Sequence, residues 1–164
     1  MITTIGKEYK FEAAHMLFGH KGACARLHGH SYKVKVELTG ETLGGRDPLE
    51  KSSEGMVMDY GDLDNLVKHL IEQLDHKFLA SNKDEIYFTP EGGSDTDENI
   101  RREEKAAGVV RLGFRVTAEN LTAWFVKNLE RRMPFNITGL VVIVKETEET
   151  FARVATAVNV KYSL

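Results

Sequence analysis

The chain has 164 residues, 41% of them hydrophobic, which is enough for one well-buried domain and short for two. A net charge of −3 leaves no electrostatic footprint for nucleic acid or an anionic membrane, and no apolar run reaches the length of a bilayer span. One cysteine excludes an intrachain disulfide, and residues 1–8 lack a basic region followed by an apolar one, so a cytoplasmic location is expected.

The first predicted strand ends in Tyr9-Lys-Phe-Glu-Ala-Ala-His15, with Tyr9, Phe11 and Ala13 in phase with His15. His20 follows in a glycine-flanked loop, then Cys24-Ala-Arg-Leu-His28-Gly-His30. His28 and His30 share a face of the next strand with Tyr32, Val34, Val36 and Leu38. The two strands make a hairpin over about residues 3–15 and 30–40, and a polar, glycine-containing stretch over residues 44–55 breaks the pattern. Leu63, Leu66, Val67, Leu70, Ile71 and Leu74 form a helical stripe capped by Asp59 or Asp62, with His69 on the polar side. Residues 81–115 read as a polar insert carrying a short surface helix near residues 97–107. A second helix starts at Thr117, turns Leu121, Phe125 and Leu129 inward, and stops at Pro134. Leu140, Val142, Val144 and Glu146 then share a strand face, and residues 151–160 return. The expected fold is one α+β domain over residues 1–164, in the order ββααββ, with a four-stranded antiparallel sheet and two helices on one face.

His15, His28 and His30 are the chemical centre of this pattern. Imidazoles on the buried side of a strand need partners, and a catalytic zinc takes three protein ligands while keeping one position open. A Cys24 thiolate beside a metal or a histidine would be both basic and nucleophilic. Asp75-His76, at the end of the first helix, is either a general acid/base pair or a simple helix terminus. Glu146 continues an apolar strand face, so it is either a solvated rim residue or a receptor for a cationic or amidine-like group.

Phe11-Glu-Ala-Ala-His15, Cys24-x-x-x-His28-Gly-His30, Gly55-Met-Val-Met-Asp59, Leu74-Asp-His-Lys77, Thr117-Ala-Glu-Asn120 and Val144-Lys-Glu-Thr147 fall in one order along the chain. Together they resemble the 6-pyruvoyl-tetrahydropterin synthase family, most nearly its 6-carboxy-tetrahydropterin synthase branch in queuosine biosynthesis. The resemblance covers about residues 8–147. It implies a tunnelling fold whose sheets close into a barrel on trimer formation, two trimers stacking into a hexamer. It also implies zinc on His15, His28 and His30, and Cys24 as proton acceptor. Asp75 and His76 would be its relay, reaching in from a neighbouring subunit. Glu146 would anchor the pterin, with Thr117 and Ala118 along the same edge.

The implied reaction converts a small-molecule substrate, 7,8-dihydroneopterin triphosphate, to 6-carboxy-5,6,7,8-tetrahydropterin, with release of acetaldehyde and triphosphate. A synthase stopping at 6-pyruvoyl-tetrahydropterin is the sister reading, and a non-catalytic zinc or pterin-binding protein is a third. Arg26 and nearby lysines are candidate triphosphate contacts. Met16 and Val116 depart from the family pattern, where a basic residue and a proline are common, and the insert is long.

Overall fold

The computed structural model describes residues 1–44, 51–84 and 97–159. Strand β1 (Ile2–His15) and strand β2 (His28–Glu41) form the long antiparallel hairpin expected from the alternating pattern. Helix α1 (Tyr60–Glu72) follows. Asp59 is its cap, accepting a 2.6 Å hydrogen bond from the Gly61 amide, while Asp62 lies in the first turn. Leu63, Val67, Leu70 and Ile71 are its buried stripe, and Leu66 packs only at the margin. Helix α3 (Ala118–Leu129) is capped by Thr117 and buries Leu121, Phe125 and Leu129. Strand β5 (Ile137–Lys145) pairs antiparallel with β2, and strand β6 (Phe151–Ala157) pairs with β5.

The sheet is larger than expected and mixed. Strand β3 (Lys77–Ser81) and strand β4 (Val109–Leu112) add beyond β1, giving the order β4-β3-β1-β2-β5-β6. Both pairings are parallel, and helix α2 (Asp97–Ala106) lies in the connection between the two short strands. The four-stranded antiparallel sheet with two helices is therefore corrected to six strands and three α-helices among the described residues. Sheet and helices together still make an α+β fold.

The reason is local. Strand β3 buries Leu79, Ala80 and Ser81 in succession, so no period-two signal marks it, and β4 has only four residues. Parallel strands need a crossover, which hides their pairing inside what reads as a polar insert. The surface helix expected near residues 97–107 is α2; residues 85–96 of the insert lie outside the described residues. Within one chain the sheet is open rather than a closed barrel. No helix among the described residues is long and apolar enough to cross a membrane.

The core lies between one sheet face and helices α1 and α3. Phe11 stacks on Tyr32 with ring centroids 4.7 Å apart, and Val34, Val36, Leu38, Leu140, Val142 and Val144 are buried beside Leu63, Leu121, Phe125 and Leu129. Helix α1 is tied to β1 by Asp64, which accepts from the Tyr9 hydroxyl at 3.1 Å and pairs with Lys7 at 2.7 Å. The insert is pinned by Arg111, which pairs with the buried Glu104 and donates to the carbonyls of Ser81 and Asp84 at 3.0 and 3.1 Å. Removing one partner of such a pair strands the other's charge. Arg111→Ala should therefore cost about 2–3 kcal/mol of stability, read as a lowered urea midpoint.

Candidate metal centre

The hairpin register builds the site. His15 lies directly opposite His28, and His30 lies opposite Ala13, so all three imidazoles emerge on the helix side at one end of the sheet. Gly29 between the two histidines leaves β1 free to approach. A β-carbon there would stand 3.0 Å from the Ala13 carbonyl oxygen and 3.5 Å from the Ala14 α-carbon. One ligand atom from each of the three histidines lies within 4.8 Å of the others, with ring centroids 4.5 to 5.2 Å apart.

Backbone carbonyls orient two of these rings. His15 Nδ1 is 2.9 Å from the Val116 carbonyl oxygen, and His28 Nδ1 is 2.7 Å from that of Arg26. A carbonyl can only accept, so each Nδ1 carries the hydrogen and each Nε2 presents a lone pair. Both Nε2 atoms are buried and have no hydrogen-bond partner. Two buried lone pairs without partners, oriented from behind by carbonyls, are the donor arrangement that suits a divalent cation such as zinc. Val116 fills its role through the main chain, so the absence of proline there does not disturb it.

Electrostatics favour the neutral ligands. Burial, chiefly, lowers the His15 pKa from 6.5 to about 4, with His28 and His30 adding to the effect against the opposing Val116 hydrogen bond. His30 is lowered by burial and by His28. Neutral imidazole is the ligating form.

Glu146 follows the last residue of β5 and sits beside the cluster. Its Oε1 is 4.0 Å from His15 Nε2 and 3.5 Å from the Tyr32 hydroxyl. Burial, then the Glu119 charge, raises its pKa, while His28 and Tyr32 oppose the rise. Cys24 is half-buried on a one-turn helix, Ala23–Ala25, with its carbonyl accepting from the Leu17 amide at 2.8 Å. The Tyr32 hydroxyl pKa is raised chiefly by burial, then by Glu146, with Cys24 the smallest cause. Cys24, Tyr32, Glu146 and the three histidines thus belong to one neighbourhood.

Asp75 and His76 occupy a turn past α1, with their side chains in direct contact, His76 Nδ1 to Asp75 Oδ2 at 3.0 Å. Main-chain bonds to Glu12 hold the turn: the His76 amide donates to its carbonyl at 2.6 Å, and its amide donates to Asp75 Oδ1 at 2.9 Å. These bonds hold His76 at φ 55°, a left-handed value uncommon away from glycine. His76 borders a cleft with Glu12, Ala13, Ala14, Gly29, His30 and Ser31, which puts it at the same end of the β1–β2 hairpin as the imidazole cluster. The hydrogen bonds and ion pair of Asp75 and His76 join them to each other and to Glu12. Thr117 caps α3 and Ala118 opens it; with Glu119 they place the first turn of that helix near Glu146.

Sequence reasoning assigned no role to Tyr32, Glu119 or the Val116 carbonyl. Tyr32 was legible as the residue continuing the histidine phase, a polar tip at the rim of the core. Glu119 stood in a recognisable helix start, but its proximity to Glu146 is tertiary. His20 and His69 stay outside the cluster, with His69 Nε2 2.8 Å from Arg132 Nη1.

An open α+β sheet with two helices over one face and three histidines at its end defines a class of fold and centre with known relatives. A family model described as 6-pyruvoyl tetrahydropterin synthase matches residues 4–157, and the chain belongs to that family. It is 34% identical to 6-carboxy-5,6,7,8-tetrahydropterin synthase of Haemophilus influenzae over 147 residues, 83% of this chain and 88% of that protein. It is 31% identical to the protein of the same name from Aquifex aeolicus, over 86% of this chain and 88% of that one. The solved 6-pyruvoyl tetrahydropterin synthase of Plasmodium vivax shares the fold at TM-score 0.71 and 20% identity, over 96% of this chain and 99% of that one.

The lowered His15 pKa has a consequence for chelator-treated protein. An unfolded His15 takes up a proton below pH 6.5, whereas the folded one resists until about pH 4. Its contribution to stability is thus present above 6.5 and is lost as pH falls towards 4. Denaturant midpoints measured across that range should fall more steeply for the parent chain than for His15→Gln.

Proposed function

We propose that this chain is a pterin-synthase-type enzyme that converts 7,8-dihydroneopterin triphosphate to 6-carboxy-5,6,7,8-tetrahydropterin, releasing acetaldehyde and triphosphate in the queuosine pathway. The observation that carries this reading is the pair of buried, unpartnered Nε2 atoms of His15 and His28 facing Glu146. The names of the relatives from Haemophilus influenzae and Aquifex aeolicus support the carboxy product.

His15, His28 and His30 would hold zinc. Zinc, when bound, supplies Lewis acidity that eases loss of a carbon-bound proton from the hydroxylated side chain of the substrate. The chain's own residues supply the rest. Cys24, half-buried on its one-turn helix, takes that proton. Asp75 steadies His76 in a defined ring orientation through their direct contact, and the pair would act as the relay for Cys24, reaching in from a neighbouring subunit. That arrangement requires a homo-oligomer, a hexamer built from two trimers, whose barrel closure would also cover the open sheet edges. Glu146 accepts two parallel donors from the 2-amino-pyrimidinone edge of the pterin, with Thr117 and Ala118 alongside.

The second reading is release of triphosphate without side-chain cleavage, giving 6-pyruvoyl-tetrahydropterin. The Plasmodium vivax fold relative carries that name. Product analysis separates the two: acetaldehyde at one equivalent per substrate supports the first reading, and none overturns it.

Elemental analysis of the isolated protein should find one zinc per chain, and His28→Ala should lose most of it. Cys24→Ala should keep fold, zinc and pterin binding while turnover falls about 10²–10⁴-fold. Near-normal turnover would reduce Cys24 to a packing residue. Glu146→Gln replaces one acceptor with a donor facing the pterin amino group. Titration of a non-reacting pterin analogue into the zinc-loaded variant should show affinity lowered about 10- to 100-fold.

A further inference from the structure

The helix-free face of the sheet carries a charge pattern that the reaction above does not use. In the strand registers Lys10 lies directly opposite Lys33, and Lys33 directly opposite Lys145, so three lysines form a row across β1, β2 and β5. Like charges directly opposite on a sheet repel, and adjacent strands are only about 4.8 Å apart. The neighbouring Lys35 differs, because Glu8 stands opposite it and Glu37 pairs with it at 2.7 Å. Glu12, farther along β1, accepts a 2.7 Å hydrogen bond from the Ser31 hydroxyl.

One carboxylate pairs directly with the row, and Glu8 acts on Lys33 from farther away. Glu148, in the turn between β5 and β6, pairs with Lys33 and is held below the usual carboxylate range by Lys33 first, then by Lys145 and Lys10. It is 74% exposed, so it reaches in from solvent rather than being packed in place. The row itself thus holds three lysines to one ion-paired carboxylate, with Glu8 at its β1 flank. A shallow depression lined by Glu8, Lys33, Lys35, Ile143 and Lys145 adjoins it. The row continues at its far end to Phe151, opposite Lys145 and 61% exposed.

We infer that the Lys10–Lys33–Lys145 row binds a linear polyphosphate group, with Glu148 as the internal carboxylate that this anion displaces. Linked phosphates present negative charge in a line, which matches lysines set one strand apart; a single carboxylate or phosphate would meet only part of the row. Lysine suits this role because its ammonium is a mobile point charge on a long stem, able to reorganise when Glu148 leaves. The inference rests on strand register and charge alone and is independent of the pterin reading.

Titration of inorganic tripolyphosphate into the intact protein at low salt, with zinc content measured before and after, tests it. One saturable site per chain is expected. Lys10→Gln or Lys145→Gln should weaken binding about fivefold each, and Glu148→Gln should tighten it by about the same factor. Two controls carry the same charge changes away from the row: Lys127→Gln on α3 and Glu149→Gln next to Glu148. Absence of saturable binding, or controls that shift affinity as much as the row variants, would overturn the inference. Repeating the titration with a nucleoside triphosphate identifies the source of the group. Tighter binding than tripolyphosphate, reversed by Phe151→Ala, assigns a nucleotide; equal affinity in the two titrations assigns the inorganic chain.

Discussion

The antiparallel register of β1 against β2 is the constraint on which the rest of this molecule depends. Placing His15 opposite His28 sets the imidazoles together, and the same register sets Phe11 against Tyr32 in the core. A slip of one residue would turn His28 and His30 to the opposite face and carry Tyr32, Val34, Val36 and Leu38 with them. Burial of those four side chains therefore holds the histidine cluster in register. The cost of leaving them in water far exceeds anything the histidines could contribute by themselves.

The two faces of the sheet have been put to different uses. The helix side excludes water, and there the chain concentrates groups whose protonation is tuned by burial: His15, His30, Tyr32 and Glu146. The helix-free side carries lysines and glutamates in cross-strand rows. The turn between β5 and β6 spans both. Glu146 points to the histidines, and Glu148, two residues on, reaches the lysines. Thr147 braces that turn by accepting from the amides of Glu149 and Thr150.

The third element of the site is main chain. Two carbonyls, from Arg26 and Val116, select the tautomers that leave His15 and His28 with free Nε2 lone pairs. Because Val116 directly precedes the Thr117 cap of α3, the start of that helix sets the orientation of the His15 ring as well as the placement of Glu119 near Glu146.

Much of this was legible from residue order. Alternation marks β1 and β2, a short apolar run marks β5, and the phase of His15, His28 and His30 with apolar neighbours places them on one face from the sequence alone. The caps at Asp59 and Thr117 and the apolar stripes of α1 and α3 follow from local chemistry that needs no tertiary partner. Strands β3 and β4 were not legible. They are short, lack alternation and pair parallel, β3 with β1 and β4 with β3, so only the assembled sheet reveals them. The same holds for the burial of Glu104 against Arg111, which looks like solvated charge in the sequence. The docking of Asp75 and His76 against β1 was also a tertiary decision. It depends on hydrogen bonds to the Glu12 main chain, 63 residues from Asp75, and no local periodicity encodes a contact of that range.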